Sequence, residues 1–136
     1  MGTPTFSDVM IVGLYTETPL HCGAESAVGY VDLPVQRERH TSFPVIPGST
    51  IKGVLKDEPT GWDKDKVFGS EDSPGQVSFG DGILVAFPIR SSLHPFHWVT
   101  CPLALERLFR ALGGKVKGLD PERGTAWAKT DGAVLL

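Results

Sequence analysis

Apolar positions in this chain come in short runs separated by turn residues, which predicts several brief elements and no long one. Val9-Met10-Ile11-Val12-Gly13-Leu14-Tyr15 is rich in strand formers and bounded by Ser7-Asp8 and Pro19, so it predicts a buried strand. Residues 21–47 carry frequent punctuation and no sustained period, as an extended excursion or hairpin off that strand would. Ser49 or Thr50 can cap a helix over Ile51-Lys52-Gly53-Val54-Leu55-Lys56, with Pro59 and Gly61 ending it. Gly61 to Gly75 is polar and turn-rich, a surface loop by composition. Ile83-Leu84-Val85-Ala86-Phe87-Pro88 predicts a second strand.

The clearest helix follows. Thr100 is placed to cap it, Pro102 falls in its first turn, and Leu103, Leu105, Leu108, Phe109 and Leu112 form its apolar stripe. Gly113-Gly114 stops it. Ala133-Val134-Leu135-Leu136 looks like the start of a further strand. The order strand, excursion, helix, strand, helix suits an α+β fold of the ferredoxin-like or RRM-like kind, a sheet packed on two helices.

Composition narrows this only a little. A chain of 136 residues, 40% hydrophobic, fits one domain with an ordinary core. A net charge of −3 gives no general attraction for nucleic acid, so any polyanion site must be local. Arg37, Arg39, Lys52 and Lys56 supply such a site within positions 36–56, against Glu38. No leader pattern opens the sequence and no apolar run reaches the ~20 residues of a spanning helix. With two distant cysteines, Cys22 and Cys101, and no C-x-x-C pair, a reducing cytoplasmic setting and no membrane are expected. Asparagine is absent altogether, a weak pointer to a thermophilic source.

Several residues carry chemistry, each with an ordinary reading beside it. Asp32 is an isolated acid in Val31-Asp32-Leu33-Pro34, suited either to a pre-proline turn or to holding a hydrated divalent ion. Arg37 and Arg39 alternate, so in a strand they share a face, either as solvated edge or as bidentate phosphate ligands. Lys52 is expected in the first turn of its helix, where the dipole disfavours a cation. A phosphate there would relieve that conflict and recruit backbone N–H groups of the Gly48-Ser49-Thr50 turn. His21-Cys22 and His94-Pro95-Phe96-His97 lack the local partners a zinc site needs. Phosphate-cradling motifs of the G-x-x-x-x-G-K or G-x-G-x-x-G type do not occur.

The segments T-P-L-H-C-G, G-Y-V-D-L-P-V-Q-R-E-R-H-T and P-V-I-P-G-S-T-I-K-G-V-L-K, within residues 18–56, closely resemble the RAMP superfamily of CRISPR effector subunits. Phe68-Gly69, Val77-Ser78-Phe79-Gly80-Asp81, Phe87-Pro88-Ile89-Arg90-Ser91 and Trp98-Val99-Thr100-Cys101-Pro102 continue the match, over roughly residues 9–112. The nearest resemblance is to the N-terminal part of the RNA-cleaving backbone subunit of the type III-B (Cmr) complex. The chain then looks like a single RAMP domain over residues 1–136, cut short at its C-terminal side.

That resemblance implies guide RNA and target RNA as ligands, with other effector subunits, in several copies, as partners. It implies that Asp32 is the carboxylate required for target cleavage, with a divalent metal (Mg or Mn) beside it. It implies further that His21 lines the RNA path and that Lys52 contacts the guide backbone, with Gly48, Ser49, Thr50, Arg37 and Arg39 nearby. One position departs from the family pattern: the H-x-G-x-G turn here reads His21-Cys22-Gly23-Ala24-Glu25, with glutamate for the second glycine. A non-catalytic RNA-binding or assembly module, acting only through partner subunits, stays open as the alternative. So does an incomplete domain whose open sheet edge pairs with another chain.

Overall fold

Phe68 is the best-buried large side chain in the computed structural model, at 1% exposure, and it lies where the sequence reads as surface loop. The structure describes residues 8–23, 34–59, 61–92 and 94–115. Two antiparallel sheets and three helices account for the regular structure: β1 (Val45–Ile46), α1 (Gly48–Asp57), α2 (Lys64–Phe68), β2 (Gly82–Ile83), β3 (Phe87–Ile89), β4 (His97–Val99) and α3 (Pro102–Ala111). The chain is therefore α+β, as its pattern predicts. β1 pairs with β2 and β3 with β4, in separate two-stranded sheets. The chain divides into two compact units, Leu14–Leu84 and Met1–Gly13 with Val85–Leu136.

In the first unit, short antiparallel contacts line up beside β1. Val45 pairs with Ile83, Arg37 bridges Pro44, and Gly23 bridges Val35. The excursion thus contains a hairpin, folded between residues 37 and 44. Its turn is closed by Glu38 N–H donating to Phe43 O (2.9 Å) and Ser42 N–H donating to Glu38 O (2.9 Å). Thr41 Oγ1 donates to Glu38 Oε2 and accepts from Phe43 N–H. Ser42 takes the left-handed conformation (φ 61°) that lets so tight a turn close.

α2 forms because Asp63 caps it, its carboxylate accepting Lys66 N–H at 3.2 Å. Its one turn delivers Phe68 against Phe79, with ring centroids 5.5 Å apart and nearly parallel, and Trp62 tilts over the same ring at 6.4 Å. The chain then reverses at Gly69 (φ 88°) and returns along the helix, Gln76 N–H donating to Lys66 O and Val77 N–H to Val67 O. A Cβ on Gly69 would stand 2.6 Å from Gly75 N, so this reversal needs glycine for space as well as for φ.

In the second unit, Phe87 pairs with Val99, Pro88 with Trp98 and Ile89 with His97. α3 runs as its stripe predicts and ends at Gly113 (φ 75°), with Gly114 N–H donating to Phe109 O at 2.8 Å. Ala104 is its buried contact, at 2% exposure. Its N-cap is Cys101 without a side-chain bond, because Thr100 Oγ1 turns instead to Val85 O at 2.6 Å.

Three local expectations change. Val9–Tyr15 has the composition of a buried strand, yet no strand forms over residues 8–15, and Val9 is 89% exposed. A strand exists only with a neighbour to bond its backbone, and no ladder among the described residues reaches it. The apolar run after Gly82 splits into β2 and β3, in different sheets, with a break at residues 84–86. The polar 61–75 stretch holds α2 and the buried Phe68, since one aromatic placed by a capped turn outweighs the polarity around it.

Candidate functional site

Pro47 starts α1, and the chain enters the helix straight from β1 with no residue to spare. The helix spans Gly48–Asp57, one turn earlier at its start than capping by Ser49 or Thr50 predicts, and neither side chain caps it. Thr50 and Ile51 N–H both donate to Pro47 O, at 2.9 and 3.1 Å. Gly48 N–H donates to Asp81 Oδ1 at 2.7 Å, a carboxylate from the loop before β2. That bond satisfies one of the donors a helix start leaves open, and places a negative charge at the positive end of the dipole. Gly48 is required for the approach, because a Cβ there would meet Phe79 O at 2.3 Å.

This cap revises the anion-site expectation in two ways. Lys52 is the fifth residue of α1, past the first turn, so the conflict between its charge and the dipole does not arise. Asp81 already supplies the anion at the helix start, and a phosphate there would compete with it. Ser49 and Thr50 stay exposed and Lys52 half-buried. Asp81 is the functional residue that local reading misses. Its one signal is the carboxylate in the Phe79-Gly80-Asp81-Gly82 turn, where two glycines allow close backbone approach.

Arg37 and Arg39 do not share a strand face, since the chain turns at residues 39–41. Arg37 sits on the bridge to Pro44 and donates from Nη1 to Ser42 O at 2.8 Å, bracing the turn it precedes. Its remaining guanidinium donors stay available at an exposed position. Arg39 occupies the exposed tip.

His21 is exposed, next to a ladder rung in which Gln36 N–H donates to Cys22 O at 2.8 Å. Two residues along from Gly23↔Val35, the same antiparallel register sets His21 across from Arg37, on one face. The structure thus brings two of the sequence-nominated residues together: a guanidinium that can hold a phosphate and an imidazole that can move a proton. Asp32 and Glu25 fall between Gly23 and Val35 in sequence and lie outside the described residues. The rung therefore marks where both ends of the Asp32 segment enter the described structure.

Among the described residues, no three His, Cys, Asp or Glu side chains gather to hold a metal ion. Nor is any described helix long and apolar enough to cross a membrane. Cys22 and Cys101 are free thiols, both half-buried.

Comparison with known proteins adds the family. Residues 14–123 match the model of the RAMP superfamily, spanning both units. The chain is 43% identical over 113 residues to the CRISPR system Cmr endoribonuclease Cmr4 of Pyrococcus furiosus, covering 75% of this chain and 38% of that protein. It is 40% identical over 55 residues to the CRISPR system Cms endoribonuclease Csm3 of Enterococcus italicus, covering 38% of this chain and 26% of that one. The crystal structure of oligomeric Cmr4 from Pyrococcus furiosus superposes with a TM-score of 0.52 at 41% identity, over 59% of this chain and 34% of that one. A second crystal structure of Cmr4 gives 0.52 at 43% identity, over 62% and 35%. The chain spans well under half the length of these relatives, and with four-fifths of its own length matched by the family model it belongs to the RAMP superfamily.

Proposed function

We propose that the chain serves as a guide-RNA-binding backbone subunit, or part of one, in a type III-B CRISPR effector, and contributes Asp32 to cleavage of target RNA. The observation that carries this reading is the rung at Gly23↔Val35. It joins the two ends of the segment holding Asp32 and sets His21 opposite Arg37. The 43% identity to an endoribonuclease over 113 residues supplies the reaction class.

The chemistry needs three things at one phosphodiester. Arg37 holds a non-bridging phosphate oxygen through two parallel N–H donors. Asp32 accepts the proton of the neighbouring ribose 2′-OH as that oxygen attacks phosphorus. His21 delivers a proton to the departing 5′-oxygen, leaving a 2′,3′-cyclic phosphate and a 5′-hydroxyl. A divalent ion (Mg or Mn) beside Asp32 would add charge stabilisation at the phosphate. The described residues assemble no site for it, so no step above depends on it.

Guide RNA binds through Lys52, the exposed Gly48-Ser49-Thr50 turn and Arg39, as a backbone whose shape is read while base pairing reads sequence. In this role the protein works in the cytoplasm with other effector subunits. The binding half is tested by titrating single-stranded RNA across a salt series, for wild type and for Lys52→Ala and Arg37→Ala. Each lost phosphate contact should flatten the plot of log affinity against log salt by about one unit. Slopes equal to wild type would remove these residues from the interface.

A second reading, an assembly module that acts only through partners, is favoured by one observation. Among the described residues, the buried apolar side chains are Phe68 and Ala104, while Val9, Met10, Val12, Leu14 and Tyr15 are exposed. Folding that sharpens with protein concentration or with added effector subunits would support it. A cooperative transition independent of concentration would count against it.

A further inference from the structure

The β3–β4 hairpin carries an aromatic pair that the reading above does not use. Phe96 and Trp98 meet edge to face, with centroids 5.4 Å apart and an 88° interplanar angle. An edge-on contact covers only one ring face of such a pair, and the two residues remain 45% and 47% exposed. Trp98 pairs with Pro88, whose flat ring adds no side-chain polarity to that face. Continuing the register one residue past Ile89↔His97 aligns Arg90 with Phe96, and strand alternation puts both on the side of Trp98. Arg90 is exposed.

Charge selects the occupant. Residues 85–115 hold Arg90, Arg107, Arg110 and Lys115 against Glu106 alone. Residues 14–84 hold 11 acids and 6 bases, the opposite balance. Exposed aromatics on a locally basic segment of an acidic protein suit single-stranded nucleic acid, whose bases stack on the rings while cations follow the phosphates.

We propose that Trp98 and Phe96, with Arg90 beside them, form a platform on which a base of single-stranded RNA stacks. The choice of RNA as ligand rests on the function proposed above, while the location of the platform does not. It adds a base contact to a protein otherwise assigned backbone contacts only, and it lies in the other compact unit from Lys52 and Arg37.

The test uses the full chain with Trp62→Phe and Trp127→Phe, so that emission reports Trp98 alone among its 3 tryptophans. Oligouridylate should quench that emission, whereas an abasic ribose-phosphate oligomer of equal charge should bind without quenching. Trp98→Leu, which keeps apolar bulk but removes the π face, should weaken oligouridylate binding about tenfold or more, and Trp98→Phe should retain most of it. RNA binding with unchanged emission and a wild-type-like Trp98→Leu would overturn the platform and leave the RNA reading standing. Failure of both oligomers to bind at low salt would overturn both. If Trp98→Leu and Trp98→Phe lose affinity and melting temperature together, the ring is a packing residue and the proposal fails.

Discussion

Asp81 caps the helix that begins at Gly48, its Oδ1 accepting the Gly48 N–H at 2.7 Å from 33 positions further along the chain. The bond ties the loop before β2 to the start of α1, and so fixes the helix end where Ser49, Thr50 and Lys52 are presented. It also determines the charge that an incoming phosphate would meet there.

Two effects of opposite sign follow at Asp81. Asp81→Ala should lower stability by about 1 kcal/mol, the usual loss for a cap. It should at the same time strengthen binding of single-stranded RNA at low salt, because the helix N-terminus is freed of a competing carboxylate. Chemical denaturation and RNA titration on the same variant check both. A loss of stability without a gain in RNA affinity would mean the helix start is structural and phosphate does not reach it.

Gly48→Ala should be costly despite the higher helix propensity of alanine. The new methyl would meet Phe79 O at 2.3 Å and Gly80 O at 3.0 Å, both backbone atoms that cannot rotate away. Overpacking of this kind costs about 1–3 kcal/mol. Ordinary propensity would instead make the change favourable by just under 1 kcal/mol. The sign of the shift in denaturation midpoint decides between them.

Phe68→Ala should destabilise the unit around α2 by about 3–5 kcal/mol, since this ring is fully buried and stacked on Phe79. Trp62, half-exposed over the same ring, should report that loss as a red shift in its emission. Unchanged stability would show that the packing around Phe68 is dispensable.

Much of the fold is legible in the sequence, and the exceptions have specific causes. The stripe from Leu103 to Leu112 and the Gly113-Gly114 stop mark α3 because helix period and termination are local properties. The start of α1 is misread because its cap comes from Asp81, which a local window around Ser49 cannot include. Val9–Tyr15 has strand composition without a strand, since pairing depends on a neighbour and composition does not supply one. Phe68 hides in a polar stretch where a one-turn helix, capped by Asp63, carries it inward.

The candidate site divides along the same line. The D-L-P-V-Q-R-E-R-H-T segment identifies the family, and the hairpin within it is readable from its turn residues. Alternation of Arg37 and Arg39 predicts a shared face that the turn at residues 39–41 abolishes. The pairing of His21 with Arg37 depends on the register of the Gly23↔Val35 bridge, which spacing alone does not reveal.

The most direct test of the proposed function is cleavage of a guide-complementary RNA by the assembled effector containing either wild-type chain or Asp32→Ala. The account predicts that the variant assembles, binds guide and target as wild type does, and leaves the target uncut, while the wild type yields fragments ending in 2′,3′-cyclic phosphate. Cleavage at the wild-type rate by the Asp32→Ala complex would contradict it.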